Sequence, residues 1–348
     1  MASTPPAINP HAPPARLALA LTAAFGTGGL VALQSRINGE LSQRLGDGFL
    51  AAFISFGSGF VLLAVALVFW RPGRRGIVRV VAALRERSIP WWLVLGGAGG
   101  AFFVLSQGLT IGLLGVALFT VAVVSGQTVS SLLLDHRGLA RMPSTPATPR
   151  RIVGAALAVA AVVVAVSDRL QADSPFLALL IPIVAGLLVG WQQAVNGQVR
   201  TIAQSAFTAT FGNFLVGAVV LGIALLVHLA IAGSPTLEPA LAGSDGTVAH
   251  GWPEEWWLYV GGAVGCVFIA AQAVIVRITG VLLMGLALLA GQLAASVLFD
   301  LFAPVPGTGI HLVTILGTAL LFVAVLVAAL PARRSGATVT GSSADPSP

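Results

Sequence analysis

Gln34 and Asn38 stand four residues apart, and the same pair returns as Gln192 and Asn196, each followed by a glycine, Gly39 and Gly197. A four-residue step puts both amides of a pair on one face of a helix. Gln107, Gln127, Gln272 and Gln292 lie within or beside apolar runs. Carboxamides offer donors and acceptors without charge, so this set can line a path for a polar solute, or bond helices to one another at about 0.6 to 2 kcal/mol per contact. Trp191, next to Gln192 and deeper than the tryptophans at run edges, is placed either as an interfacial anchor or to stack on a flat or cationic ligand. Asp135 and Asp300 close two apolar runs at their C-terminal ends. A helix dipole disfavours an anion there, so each predicts a positive or donor partner, as a gate or coupling charge; the bland alternative is an exposed interfacial carboxylate.

Other chemistries lack their residues. All eighteen basic residues are arginine, which removes the phosphate-gripping lysine of a P-loop and any amine nucleophile. A lone cysteine, Cys266, excludes a disulfide framework or a thiolate cluster. The five histidines form no metal-binding spacing, and His228 sits near the outer end of the seventh apolar run, as an interfacial or titrating group. No metal or cofactor is called for, and no aromatic-basic platform for nucleic acid is present. Ser58 between Gly57 and Gly59 has no histidine at comparable depth, which disfavours an intramembrane enzyme. No carboxylate lies at mid-depth, so obligatory proton coupling through a central acid is not expected.

The elements that must position these residues are membrane helices. Of 348 residues 57% are hydrophobic and 9% charged, against about 25% charged in a soluble domain. A bilayer core needs about 20 apolar residues per helix, and the chain offers ten such runs: 17–38, 47–70, 91–111, 115–134, 151–168, 175–198, 205–231, 256–276, 280–300 and 311–330. Their length and uniformity predict an all-α polytopic protein rather than a barrel. Residues 1–15 and 331–348, rich in Pro, Ser, Ala and Gly, are expected as disordered cytoplasmic tails. With the N-terminus cytoplasmic, fifteen arginines fall inside and three outside (Arg36, Arg44, Arg169), so the positive-inside rule puts both termini in the cytoplasm. Trp91, Trp92, Trp252, Trp256 and Trp257 at run edges read as an aromatic belt.

The chain also repeats itself. A shift of 158 superposes Gln34, Asn38, Gly39, Phe53, Phe56 and Gly59 on Gln192, Asn196, Gly197, Phe211, Phe214 and Gly217. A shift of 165 carries Trp92, Gly96, Gly97, Gly100, Gln107, Gly115, Gln127 and Asp135 onto Trp257, Gly261, Gly262, Gly265, Gln272, Gly280, Gln292 and Asp300. Residues 16–170 and 171–330 thus read as two five-helix repeats, and an odd helix number inverts the second relative to the first, a transporter signature with the site near the midplane. The glycine runs at 96–100 and 261–265 predict close helix packing. Asn38-Gly39 and Asn196-Gly197 suit helix breaks at a cavity.

With the Gln-x-x-x-Asn-Gly pair, Gln127 and Gln292 in place, residues 16–330 resemble the bacterial YdcZ-like group of the drug/metabolite transporter superfamily. The resemblance implies an inner-membrane secondary transporter, usually described as an exporter, of a small solute. Its partners are then that solute and the bilayer, with homodimer formation open.

Overall fold

The structure, a computed structural model, describes residues 14–137, 149–167, 175–232, 255–304 and 311–329. The expected tails lie outside these, apart from Pro14 and Ala15, which open the first helix. The described residues are 94% helical without strands. Nine helices are described: α1 (Pro14–Leu45), α2 (Gly48–Phe69), α3 (Arg71–Arg85), α4 (Gly96–Arg137), α5 (Pro149–Val166), α6 (Pro175–Ala203), α7 (Ala206–Ala232), α8 (Gly261–Phe302) and α9 (Leu312–Ala329). Short 3₁₀ turns at Trp91–Leu95 and Trp256–Val260 lead into α4 and α8. Six helical stretches are long and apolar enough to cross a membrane, and three shorter apolar helices accompany them.

The helix ends follow local chemistry. Gly46, at φ 64°, ends α1 in the left-handed region where glycine costs least. Asp47 then caps α2, accepting from Phe49 N at 2.7 Å and Leu50 N at 3.1 Å. The arginine-bearing stretch after α2, which falls between two of the expected spans, forms α3. Gly73, Gly76 and Val80 fall on one helix face and are buried, and Pro72 suits a first helical turn, so amphipathic burial overrides the polar composition.

α4 reverses direction on a single residue. Gly115 has φ 77° and ψ 169°, a region open essentially to glycine alone. A Cβ on Gly99 would lie 2.7 Å from the Leu188 carbonyl oxygen, and one on Gly126 3.0 Å from Leu187 N. Those two glycines would be about 40 Å apart in a straight helix, yet both touch the same turn of α6, so the halves of α4 before and after Gly115 run side by side. The expected runs 91–111 and 115–134 are therefore joined without a loop. α8 also folds back along α1: Gly265 meets the Gln34 side chain while Gly291 meets the Phe25 carbonyl, both on α1.

The expected breaks at the Asn-Gly pairs do not occur. α1 and α6 continue through Gly39 and Gly197, neither of which has positive φ. Gly39 is small because Ile111 occupies the space of its Cβ, and Asn38 donates its Nδ2 to Gln107 on a neighbouring helix rather than to freed backbone.

α1 packs most extensively on α8 and α6 on α4, while α2 pairs with α7 and α5 with α9. The first helix of each sequence repeat is thus seated on the folded-back helix of the other.

Candidate functional site

Each amide pair inserts into the glycine run of the opposite half. Gln34 and Asn38 front Gly261 and Gly265, and Gln192 and Asn196 front Gly100 and Gly96. A Cβ on Gly100 would lie 2.6 Å from Gln192 Nε2, and one on Gly96 2.6 Å from Asn196 Oδ1. The glycines thus let backbone approach the amides, as the sequence predicts.

The first cluster is sealed. Asn38 Nδ2 donates to Gln107 Oε1 at 2.6 Å, Gln107 Nε2 to Ser35 Oγ at 2.9 Å, and Gln34 Nε2 to the Gly261 carbonyl at 2.8 Å. Gln34, Asn38, Ser35 and Gln107 are all buried. Asn38 Oδ1 and Ser55 Oγ stay without protein partners beside Gly261, within a tightly closed knot.

The second cluster is organised by Asn213 of α7. Its Oδ1 accepts from Gln192 Nε2 at 2.8 Å and from Asn196 Nδ2 at 2.9 Å. Asn213 is buried, whereas Gln192 and Asn196 are only half-buried. Along α4 the two clusters are about 10 Å apart, since Gly100 serves one and Gln107 the other two turns later. Gln127 and Gln272 are half-buried and Gln292 is buried. Trp191 is half-buried and packs beside Leu93 and Val195.

Asp300 has the donor partners its position demands. Its Oδ1 accepts from Val116 N at 2.9 Å and its Oδ2 from Ala117 N at 2.7 Å. Those amides open the second half of α4 directly after the Gly115 break, where the positive helix end favours an anion and charged acceptors make short bonds. Asp135 stands in the last turn of α4, and its side chain lies outside the described residues.

Beside Asp300 is an ion network. Arg36 pairs with Glu40 and donates to the Ala303 carbonyl at 2.8 Å. Arg44 reaches Glu40 at 3.3 Å and Glu255 at 3.4 Å. Arg36 thereby holds the C-terminal end of α8 while Asp300 of the same helix holds α4. His228 joins this side of the molecule, 3.6 Å from Asp47 and stacked on Phe49.

Comparison with known proteins decides the family. The family model described as "Putative inner membrane exporter, YdcZ" matches twice, over residues 19–164 and 177–327. The chain belongs to the YdcZ family. The family's description points to a membrane transporter rather than an enzyme. Among solved structures, one titled only "Crystal structure of protein" aligns at a TM-score of 0.51 and 19% identity, over 90% of this chain and 96% of that one; it shows a shared fold. No curated protein matches.

Two features of this YdcZ protein escaped the sequence reading. Asn213 is the hub of the second cluster, and a shift of 158 sets it against Ser55, between the matched Phe211 and Phe214; a polar position among matched aromatics was the available signal. The Arg36–Glu40–Arg44 chain, at four-residue spacing on α1, was the other.

Proposed function

We propose that this protein is a secondary transporter that moves a small polar or amphipathic solute across the inner membrane by alternating access, along Gln34, Asn38, Gln107, Gln127, Trp191, Gln192, Asn196, Gln272 and Gln292. One observation carries the reading. In three repeat-related amide pairs, Gln34 and Gln192, Asn38 and Asn196, and Gln107 and Gln272, the first-repeat member is buried and the second-repeat member half-buried, while in the fourth, Gln127 and Gln292, the second-repeat member is the buried one. Equivalent residues in unequal states are what a two-state carrier presents when one end is shut.

We take the six long apolar stretches, with the folded-back Trp91–Leu134 counted as two passes, together with the three shorter ones, as the ten spans of two inverted repeats. The arginine count sets the termini in the cytoplasm. On that orientation the sealed Gln34 cluster, the Arg36 network and Asp300 lie toward the outside, and the Asn213 cluster opens inward. Asp300 then acts as the outer gate, and Asp135, its repeat counterpart, as the inner one.

The test is solute flux in liposomes containing the purified protein, with ligands first selected from a metabolite library by thermal shift, because a ligand of the folded state raises its melting temperature. Transport is expected in wild type and sharply reduced in Gln127→Leu and Gln292→Leu, both still folded. Variants lost from the membrane without a transport defect in the surviving protein would make the amides structural, and no flux with any binding solute would favour an accessory subunit.

A further inference from the structure

The geometry points to α3 as a docking surface for anionic phospholipid headgroups. Arg71, Arg75, Val78, Ala82 and Arg85 recur at alternating four- and three-residue steps along one stripe of this helix, and that stripe faces away from the protein. Val78 is 67% exposed among the arginines, and Val81 beside it is 39% exposed. Phe69 and Trp70, at 81% and 54% exposure, lead into the helix. A helix that presents arginine together with bare valine and aromatic side chains suits neither water nor hydrocarbon alone. It suits the plane where acyl chains meet headgroups.

The opposite stripe is pinned. Gly73 and Gly76 are buried against α7, where the Thr208 hydroxyl donates to the Gly73 carbonyl at 2.9 Å. Two arginines are spent on helix ends: Arg74 donates to the Val68 carbonyl of α2, and Arg79 to the Ala203 carbonyl of α6 at 2.8 Å. Arg71, Arg75 and Arg85 are exposed and make no such bond, so their guanidinium groups are free to pair with phosphate. The repeat-related stretch between α7 and α8 contains no arginine and carries Glu238, Asp245, Glu254 and Glu255. Because α3 braces the ends of both α6 and α7, bound lipid stiffens the end of the molecule that holds the Asn213 cluster. The inference uses the proposed orientation only to say that the lipid belongs to the cytoplasmic leaflet.

The experiment reconstitutes the full chain into nanodiscs of phosphatidylcholine alone or with phosphatidylglycerol, and reads retained phosphatidylglycerol by native mass spectrometry together with the melting temperature. Wild type is expected to retain phosphatidylglycerol and to melt higher in its presence. Each arginine lost from the surface weakens retention by about fivefold at low salt, so R71Q/R75Q/R85Q should lose it nearly completely while R71K/R75K/R85K keeps most of it. R333Q/R334Q, which removes charge elsewhere, should behave as wild type. Equal retention in wild type and the glutamine triple, or an equal loss in R333Q/R334Q, overturns the assignment. If the glutamine triple does not fold, R75Q alone is compared with R75K, and no difference between them overturns it as well. Nanodiscs expose both leaflets, so the outcome is independent of topology and of whether any solute is carried.

Discussion

Gln107 and Asn213 do different work with the same functional group. Gln107 is buried and bonded on both sides, to Asn38 and Ser35, so Gln107→Leu strands two polar groups where no water reaches. It should cost about 1 to 2 kcal/mol, seen as a lower unfolding midpoint in detergent. Asn213→Leu removes the acceptor of two amides that are half-buried and can turn to water. Its stability loss should be under about 1 kcal/mol, while transport of an identified solute falls by about tenfold or more. Equal effects of the two substitutions on both readouts would mean that the clusters are equivalent packing motifs rather than a shut and an open end.

At the scale of elements, the decisive feature is the reversal at Gly115. Its backbone lies where a side chain is strained, and a Cβ would also meet Asp300 Oδ2 at 2.9 Å. Gly115→Ala should destabilise by about 1 to 3 kcal/mol. Asp300→Asn keeps the volume but leaves one neutral acceptor oxygen for two backbone donors, because an amide nitrogen, itself a donor, takes the place of one of the oxygens that accept from Val116 N and Ala117 N. The link between α8 and α4 should loosen and the sealed end open more often. In a Cys266→Ser background, a cysteine at Ser35, now buried, should react with a membrane-impermeant maleimide faster when Asp300 is replaced. Solute exchange between equal pools should survive the change, because a cap is weakened and no amide of the path is removed. Loss of pH-driven accumulation with exchange intact would instead make Asp300 a coupling group.

The whole molecule has a sidedness that its arginines predict. A reporter fused after residue 334 should read cytoplasmic, and one inserted within 233–254 should read periplasmic. A periplasmic C-terminus would exchange the outer and inner assignments of the two clusters and leave their chemistry unchanged. Legibility in the sequence divides along a physical line. Membrane residence, the apolar runs, the repetition and the amide set could all be read from residues one by one, because hydropathy sums locally and a duplicated pattern needs no coordinates. The α3 helix was equally present in the spacing of Gly73, Gly76 and Val80, but its arginines masked it. The Gly115 reversal, the capping by Asp300 and the hub at Asn213 were not legible. Each depends on groups far apart in the chain, such as Asp300 and Val116, 184 positions distant, that meet only once α8 has folded back along α1. Nor could the sequence say which amide cluster is shut. Both halves carry nearly the same residues and so offer nearly the same contacts, and only the packing of one state against the other breaks that symmetry.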